Sequence, residues 1–474
     1  RTDLNMLWGN GQSGDLGFLL QEQTYFKDSH IHRCQARDDA WAPDQGTQLR
    51  TETGGVYQGT ILEHLLVQHL TAFFNVGHFG NNILLEGADW NDGLDMARES
   101  GESVAFTALY ASNLRDLSKL LSSLARFGIL EVELASELVK LLDTLGKPVN
   151  YGDSSAKQQR LAEYFASIQH VISGTKVPIR LADLAGDLAA KAAWLYSHIR
   201  HQEWLSDDQG NGWFNGYYDN NGDRVDRLPG PEGVRMTLTG QVFTLMSGIA
   251  TDAQALGIAK AADRYLYEGR MGGYRLNTAF GEAPPPLGRC FGFGFGHKEN
   301  GAMFSHMAVM YANALYQRRL ACEGWKVLDS MYQHCQDFAV SRMFPGLPEY
   351  ISERGRGMYP WLTGSASWYL LTLLNEVFGV KGSLGDLLLE PRLLPTQFDG
   401  RGDAAVRARF AGRDLEIIYH NPRALDYGTY EIRQILVNDT VLPVTRNGDG
   451  VRIPRQIITD LSCAGTCRLE VELG

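Results

Sequence analysis

Apolar residues recur with the spacing of amphipathic helices along most of the chain before residue 380. Between 59 and 379 the repeats are separated by loops rich in Gly, Asn, Asp and aromatic residues. The pattern predicts helices over 60–75, 104–124, 132–145, 155–173, 181–201, 237–249, 251–266, 302–318, 324–338 and 365–378.

Helices that follow one another without alternating strands are typical of an all-α domain. Unusual sets of polar residues fall in loops between the predicted helices, at 89–95, 213–223, 292–300 and 353–363. This arrangement predicts a toroid of helix pairs in which the loops at one end converge on a central pocket.

The pattern changes to alternation after residue 387. Runs at 406–410, 415–419, 430–437, 441–444 and 467–473 alternate or are rich in β-formers, and NG, DG and AG turn signals separate them. We therefore predict a helical domain over 1–386, irregular over 1–58, and a small antiparallel β-domain over 387–474.

Charge and composition narrow the functional class. The chain has 44 basic and 55 acidic residues, a net charge of −11, which disfavours nucleic-acid binding. Apolar runs stay below the roughly 18 residues needed to cross a bilayer, so we expect no membrane partner. The 6 cysteines predict reduced structural thiols in a cytoplasmic protein, with no metal site.

The stretch ADWNDGLD places Asp89, Trp90, Asp92 and Asp95 around a turn. A calcium loop fits poorly, because the glycine stands at the wrong position and Ser100 occupies the place of the bidentate Glu. Two interpretations stay open. The stretch is a turn with solvated carboxylates, or one partly desolvated Asp keeps its proton and donates it to a leaving oxygen.

A second polar cluster, GFGFGHKENGAMFSHMA, contains Lys298 and Glu299 just before a predicted helix and His306 inside it. The glycines lack the strand–glycine–helix setting of a dinucleotide site. A lone His on a helix is more often structural than a ligand, but Ser305 and the preceding Lys-Glu-Asn run favour a functional role.

The third motif, PWLTGSASW, puts Thr363 at the N-cap of a helix that begins with Gly364. Free N–H groups and the positive end of the helix dipole make this a candidate phosphate site, although many Thr-capped helices bind no anion. In WFNGYYDNNGDRV, Arg224 stands where a calcium loop needs glycine, so a structural turn is the favoured interpretation.

GTILEHL, GADWNDGLD, GESV, KENGAMFSH and PWLTGSASW together resemble the cellobiose phosphorylase family (glycoside hydrolase family 94) and related β-oligoglucan phosphorylases, and they occur in the family's order. The resemblance, over about 59–395, implies an (α/α)6 barrel followed by a β-rich domain. It also implies a phosphorylase-type hexosyltransferase, which cleaves a β-glucosidic bond with inorganic phosphate, inverts the anomeric centre and releases α-glucose 1-phosphate. No other cofactor is expected.

The resemblance also implies residue roles. Asp92 matches the general acid, and Trp90 matches a pocket-lining aromatic residue. Glu299 matches a sugar-site carboxylate. His306, Thr363 and Gly364 match phosphate ligands. Beside Trp90 and Glu299, we expect Asp89 and Lys298 to contact the sugar.

The family also uses upstream arginines for phosphate, and no convincing arginine pair precedes Asp89. We therefore expect the C-terminal part of a longer enzyme, with a barrel incomplete at its N-terminal side. Its partners would be a β-linked gluco-oligosaccharide and phosphate, together with a second copy or the missing N-terminal part. The amino-acid sequences of the motifs resemble phosphorylases of β-1,2 or β-1,3 glucans more than those of β-1,4 glucans. An inverting hydrolase on the same barrel and a non-catalytic sugar-binding fragment are the alternatives.

Overall fold

A computed structural model describes residues 11–32, 36–85, 97–207, 211–231, 233–281, 287, 292–343, 346–360, 363–463 and 465–474. The chain divides into two compact units, each assembled from separate segments. We call Gly17–Tyr267 with Arg275–Met303 the first unit, and Arg1–Leu16, Glu268–Tyr274 and Phe304–Gly474 the second unit. The predicted division after residue 386 stays a prediction.

The described helices of the first unit follow the apolar periodicity closely. They are α1 Ile61–Phe74, α2 Val104–Arg126, α3 Ser154–Ser167, α4 Leu181–Gln202, α5 Leu238–Met246 and α6 Asp252–Tyr265. Long helices α2 and α4 pack along each other, and the Ser118 hydroxyl on α2 donates to the Ala185 carbonyl on α4 at 2.8 Å. Leu62, Leu121 and Leu188 are fully buried on the facing sides of α1, α2 and α4.

Short strands join these helices. They are β1 Glu22–Thr24, β2 His30–His32, β3 Ala36–Arg37, β4 Gln58–Thr60, β5 Ile83–Leu84, β6 Glu102–Ser103, β7 Glu131–Ala135, β8 Lys176–Arg180, β9 Trp204–Ser206, β10 Gly212–Phe214 and β11 Tyr217–Tyr218. Three further short strands lie at the sequence boundaries between segments of the two units: β12 Tyr267–Glu268, β13 Gly273–Tyr274 and β14 Met303–Phe304.

The predicted helix over 132–145 is wrong. Its first part is strand β7, which pairs antiparallel with β8, and two short 3-10 turns, Leu138–Leu141 and Asp143–Leu145, follow. Val132 and Leu134 are buried while Glu131 and Glu133 are exposed, so the segment alternates with period two. The leucines after residue 137 have a spacing similar to that of an amphipathic α-helix, because 3-10 turns also place side chains three residues apart on one face.

The described helices of the second unit are α7 Ser305–Gln317, α8 Ala321–Gln336, α9 Phe338–Ser341, α10 Gly364–Thr372 and α11 Arg455–Thr459. Helix α10 continues into a π-helical turn, Leu373–Val377, and the chain then turns at Gly379, whose φ is 68°. Helix α7 packs against both α8 and α10. The predicted stop at Gly379 is confirmed.

The described strands after residue 304 are β15 Tyr350–Ile351, β16 Gly357–Met358, β17 Val380–Ser383, β18 Asp386–Leu389, β19 Asp403–Phe410, β20 Arg413–His420, β21 Ile432–Val437, β22 Thr440–Val441, β23 Thr445–Asn447, β24 Gly450–Ile453 and β25 Cys467–Leu473. One sheet has the order β17-β18-β24-β23, and another has the order β19-β20-β25-β21-β22. The strand-rich end of the chain is thus observed.

Two expectations about this strand-rich end need correction. The second sheet is mixed, because β20 pairs with β25 in parallel from Leu415↔Cys467 to His420↔Glu472. Alternation alone does not fix strand direction, so the sequence could not show this. In addition, Cys463 and Cys467 form a disulfide with Cα atoms 5.4 Å apart, so the prediction of reduced thiols is wrong for this pair.

Candidate functional site

The start of helix α10 has the geometry of an anion site. Thr363 adopts an extended conformation and its Oγ1 accepts from the Ser365 N–H at 3.3 Å, which confirms the predicted N-cap. Thr363 Oγ1 and Ser365 Oγ lie 2.7 Å apart. The first N–H groups of such a helix point away from its body, and the helix dipole adds a positive partial charge. This end of α10 is therefore suited to a phosphate oxygen.

The His306 ring lies directly against Gly364. A Cβ atom built on Gly364 would come 2.6 Å from Nδ1 and 3.0 Å from Nε2 of His306, and closer still to Cε1. Only a residue without a side chain lets the imidazole approach the helix start this closely. The structure thus brings together His306, Thr363 and Gly364, the three residues predicted to bind phosphate.

The neighbours of His306 hold its ring in place. His306 is buried, with 8% of its surface exposed, in the first turn of α7. Its ring centroid lies 6.0 Å from those of Phe304 and Trp368. Two aromatic rings therefore pack near the imidazole and limit the orientations that it can take beside Gly364.

Two hydrogen bonds fix the helices that carry this site. The Ser305 N–H at the start of α7 donates to the Glu349 carbonyl at 2.8 Å. Further along, Asn313 Nδ2 donates to Thr372 Oγ1 at 3.2 Å, and both side chains are buried. The second contact joins α7 to α10, so that residues 58 positions apart in sequence meet.

Lys298 and Glu299 lie in the first unit, in a loop that is held by hydrogen bonds between side chains and backbone. Asn300 Nδ2 donates to the Phe293 carbonyl at 2.7 Å, and the Gly301 N–H donates to Asn277 Oδ1 at 2.9 Å. Lys298 has a positive φ of 47°, and its Nζ lies 4.9 Å from the centre of the Phe293 ring. Glu299 is half-buried. Their roles at the sugar stay predictions.

Asp89, Trp90, Asp92 and Asp95 lie outside the described residues. The described residues on either side are held together, however. Strands β5 and β6 pair with Ile83 opposite Ser103, and the Leu85 N–H donates to the Gly101 carbonyl at 2.9 Å. The described residues Leu85 and Gly101, on either side of the acidic stretch, are therefore adjacent.

A cavity of about 400 Å³ lies in the first unit beside these ends of the acidic stretch. Leu84, Glu99 and Ser100 come from the flanks of the stretch, and Phe79 and Phe165 supply aromatic surface. Its volume falls in the range of small-ligand sites, and its lining combines apolar rings with a few polar groups. The cavity can therefore take a small polar ligand.

Sequence reasoning missed the buried carboxylates that stabilise this region. Glu102, from the GESV motif, accepts from the backbone N–H groups of Phe79 at 2.8 Å, Gly80 at 3.0 Å and Asn82 at 2.9 Å. Burial raises the pKa of Glu102, although these donors favour its charged form. Glu102 thus holds the turn at 79–82 that lines the cavity.

Glu203 connects the same turn to the loop after β10. It accepts from Asn82 Nδ2 at 2.9 Å, Asn215 Nδ2 at 3.2 Å and the Tyr218 hydroxyl at 3.0 Å. Burial raises the pKa of Glu203 against the effect of these hydrogen bonds. A carboxylate with three fixed donors is a structural acceptor.

Asp226 is a third buried acid of this region, with 2% of its surface exposed. It accepts from the Gly216 N–H at 2.8 Å, the Thr237 N–H at 2.6 Å and the Thr237 hydroxyl at 3.0 Å. Burial raises the pKa of Asp226 to about 7 even though these donors lower it. The Gly216 carbonyl in turn accepts from the Val104 N–H, so Asp226 supports the start of α2. The residues next to Asp226 in the sequence did not predict its burial, because aspartates in turns are mostly exposed to solvent.

The turn after β11 confirms the structural interpretation of WFNGYYDNNGDRV. Asp219 Oδ1 accepts from the N–H groups of Asn221 and Asp223, both at 2.9 Å. Within the described ranges, His, Cys, Asp and Glu side chains form no group of three that could hold a metal ion. Among the described helices, none combines the length and apolar character needed to span a membrane.

Comparison with known proteins finds similarity to one family over part of the chain. Residues 182–379 match the family described as glycosyl hydrolase 94 superfamily, catalytic domain. An N,N'-diacetylchitobiose phosphorylase from Vibrio proteolyticus is 25% identical over 237 residues, 48% of this chain and 29% of the relative. The corresponding protein of Vibrio furnissii is 25% identical over 243 residues, 49% and 29% of the two chains. The match thus spans less than a third of each curated relative, and the chain is phosphorylase-like in sequence.

Solved structures give a weaker likeness. The crystal structure of a GH63 mannosylglycerate hydrolase from Thermus thermophilus in complex with glucose is 13% identical. It matches over 60% of this chain and 51% of that chain, with a TM-score of 0.29. This TM-score is too low to support an argument about fold, so the (α/α)6 toroid stays a prediction.

Proposed function

Since the chain resembles the phosphorylases of glycoside hydrolase family 94, we propose that it carries out inverting phosphorolysis of β-glucosidic bonds in short oligosaccharides. Phosphate and a β-linked gluco-oligosaccharide are its substrates, α-glucose 1-phosphate is a product, and no further cofactor takes part. The favoured linkage is β-1,2 or β-1,3, with β-1,4 as the alternative. The contact between His306 and Gly364 at the start of α10 is the observation that supports this proposal most strongly.

The proposed chemistry needs one acid and one anion site. Asp92 donates its proton to the glycosidic oxygen as the bond from that oxygen to the anomeric carbon breaks. A phosphate oxygen attacks the same carbon from the opposite face, which inverts its configuration. Phosphate is already an anionic nucleophile, so the reaction does not need the second carboxylate of an inverting hydrolase.

The phosphate is held by His306, the Thr363 hydroxyl and the backbone N–H groups that begin with Gly364. An imidazole N–H group of His306 donates to one oxygen, and the helix start donates to others. The buried ring environment of His306 keeps this donor set in one geometry, so little ordering is required when phosphate binds. Trp90, Asp89, Lys298 and Glu299 contact the sugar in this proposal.

An inverting hydrolase would need a carboxylate that activates water, with Glu299 or Glu353 as candidates. The buried acids Glu102, Glu203 and Asp226 do not suit that role, because each already accepts several hydrogen bonds. Hydrolysis therefore ranks second. A non-catalytic sugar-binding fragment ranks third, and binding of oligosaccharide without turnover would support it.

The relatives suggest a second substrate class. Both are phosphorylases of N,N'-diacetylchitobiose, so a β-linked N-acetylglucosaminyl disaccharide is the alternative donor for this chain. We also propose association with a second copy or with an upstream part of the same enzyme, and a cytoplasmic location.

The test is a panel assay on the full-length protein. Sophorose, laminaribiose, cellobiose, their tetrasaccharides and N,N'-diacetylchitobiose are each incubated with phosphate, and sugar 1-phosphate and reducing sugar are both measured. We expect glucose 1-phosphate from at least one gluco-oligosaccharide, and loss of this activity in Asp92→Asn but not in Asp15→Asn, an exposed aspartate. If only N,N'-diacetylchitobiose gives a sugar 1-phosphate, the donor is an N-acetylglucosaminyl disaccharide and not a gluco-oligosaccharide. If none of the donors gives a sugar 1-phosphate, the proposal is overturned.

A further inference from the structure

A second polar cleft, of about 460 Å³, lies in the second unit among the loops at the end of the strand-rich region. We call it the tyrosine cleft. Its lining includes Arg319, Tyr427, Tyr430, Glu431, Arg446 and Asp449. The proposed reaction uses none of these residues. All of them except Arg319 lie after the matched segment, which ends at 379. The cleft is large enough for a small ligand.

Two pairs of opposite charges line the tyrosine cleft, and one of their carboxylates, Glu431, also lies 2.7 Å from Arg433 Nη1, outside the lining. Arg319 Nη2 lies 2.7 Å from Asp449 Oδ2, and Arg446 Nη1 lies 3.4 Å from Glu431 Oε2. Each of these side chains keeps roughly half or more of its surface exposed, from 46% to 66%, so all four present polar atoms to solvent. An anionic ligand would meet as many carboxylates as guanidinium groups. The cleft therefore suits a neutral ligand that both donates and accepts hydrogen bonds.

Two tyrosines supply apolar surface beside these charges. The Tyr427 and Tyr430 ring centroids lie 6.4 Å apart with planes inclined by 65°. The Tyr430 hydroxyl accepts from the Leu393 N–H at 2.8 Å and donates to the Leu393 carbonyl at 3.0 Å, which fixes its ring. Both side chains are half-buried. Fixed aromatic faces next to paired charges match a molecule with apolar C–H faces and hydroxyl edges.

The turns that carry the tyrosine cleft leave room above it. Gly428 and Gly448 both adopt positive φ, 88° and 60°, and a Cβ atom on either would contact nothing within 4 Å. Within the second unit the cleft is also remote from the anion site. His306 lies in the first turn of α7 and Arg319 follows its last turn, about 16 Å of helix away.

We propose that the tyrosine cleft is a separate binding site for a neutral oligosaccharide, which stacks on Tyr427 and Tyr430 and hydrogen-bonds to the arginine–carboxylate pairs. Such a site would hold a longer glucan chain on the protein between turnovers. The proposal depends on the chemistry of the cleft, and it does not require that this chain catalyse phosphorolysis.

Isothermal titration of the full-length protein tests this site. The probes are sophorotetraose, laminaritetraose, cellotetraose and chitotetraose, measured without phosphate. Tyr427→Ala removes one stacking face, and Arg446→Ala removes one exposed guanidinium group. Tyr427→Phe keeps the ring. Tyr332→Ala is the matched control, because Tyr332 is an exposed tyrosine of α8 that does not line the cleft.

We expect at least one probe to bind the wild type. Tyr427→Ala should reduce the affinity of one set of binding sites for that probe by about tenfold or more. Arg446→Ala should weaken binding at the same set of sites, whereas Tyr427→Phe and Tyr332→Ala should retain most of the affinity. Equal binding by wild type, Tyr427→Ala and Arg446→Ala, or no binding of any probe to folded protein, would overturn the proposal. Activity on disaccharides should persist in Tyr427→Ala, so failure of this site and failure of the proposed reaction can be told apart.

Discussion

The imidazole of His306 occupies the space that a side chain at residue 364 would need. A Cβ atom on Gly364 would lie 2.6 Å from His306 Nδ1, well inside van der Waals contact. Glycine at this position therefore allows the ring and the start of α10 to face one ligand together. This relationship joins two sequence motifs that are ordinary when taken singly.

Substitution of Gly364 by Ala should disturb the phosphate site selectively. The new methyl group would push the His306 ring away, so we expect the KM for phosphate to rise by about tenfold or more, at an overpacking cost of about 1–3 kcal/mol in stability. Initial rates at varied phosphate concentration and urea unfolding measure the two effects. Gly269→Ala is the control, because a Cβ atom there contacts nothing within 4 Å. An unchanged KM in Gly364→Ala would contradict the proposed geometry.

Binding of phosphate by Thr363 can be distinguished from its contribution to stability as an N-cap. Thr363→Ala should lower stability by about 1 kcal/mol through loss of the cap and should also raise the KM for phosphate. Thr251→Ala removes a comparable Thr cap, on α6, and should lower stability without changing this KM. Thr363→Ser should restore both properties. If Thr363→Ala and Thr251→Ala change the KM alike, Thr363 is a cap and not a phosphate ligand.

Asp226 should make stability depend on pH. Its pKa is raised to about 7 in the fold, so the protein favours the protonated form, whereas the unfolded chain ionises near the ordinary pKa of about 4. The stability contributed by this group is complete below about pH 4 and is lost as pH rises to about 7, by about 4 kcal/mol in total. Urea unfolding of wild type and Asp226→Asn at pH 4, 5.5 and 7 measures it. The advantage of wild type over the variant should shrink with rising pH, and a pH-independent difference would refute this.

The Tyr218 hydroxyl should contribute to the support of the cavity wall. It donates to Glu203, a buried carboxylate whose other partners include Asn82. Tyr218→Phe leaves one lone pair of Glu203 without this donor, so we expect a loss of about 1–3 kcal/mol in the free energy of unfolding. Tyr332→Phe, at an exposed tyrosine, should stay within about 0.5 kcal/mol of wild type. Equal stabilities for the two variants would show that Glu203 does not depend on this bond.

The pattern of apolar and polar residues predicted most of the helices and strands. It did not predict the buried, hydrogen-bonded carboxylates that stabilise them. The periodicity located α2 and α4 to within a few residues, because their stripes of apolar residues are long. It failed at 132–145, where strand pairing with β8 overrode a helix-like arrangement of leucines. It also could not foresee that Glu102, Glu203 and Asp226 are buried, because burial depends on partners far away in sequence.

The candidate site was predictable only in part. Capping rules identified Thr363 from its immediate neighbours, and the structure confirms that cap. The meeting of His306 with Gly364 depends on the packing of α7 against α10, which no local pattern contains. It was expected from the family resemblance alone. The roles of Asp92 and of the sugar-binding residues stay predictions, since 86–96 lies outside the described residues.

Phosphorus and proton NMR of the reaction test the central claim most directly. Full-length wild type and His306→Ala are followed with the best gluco-oligosaccharide from the panel while the phosphate concentration is varied. We predict that wild type forms glucose 1-phosphate in the α configuration at a rate that saturates with phosphate, and that His306→Ala needs far more phosphate. Release of free glucose at the same rate without phosphate, or formation of the β anomer, would contradict the account.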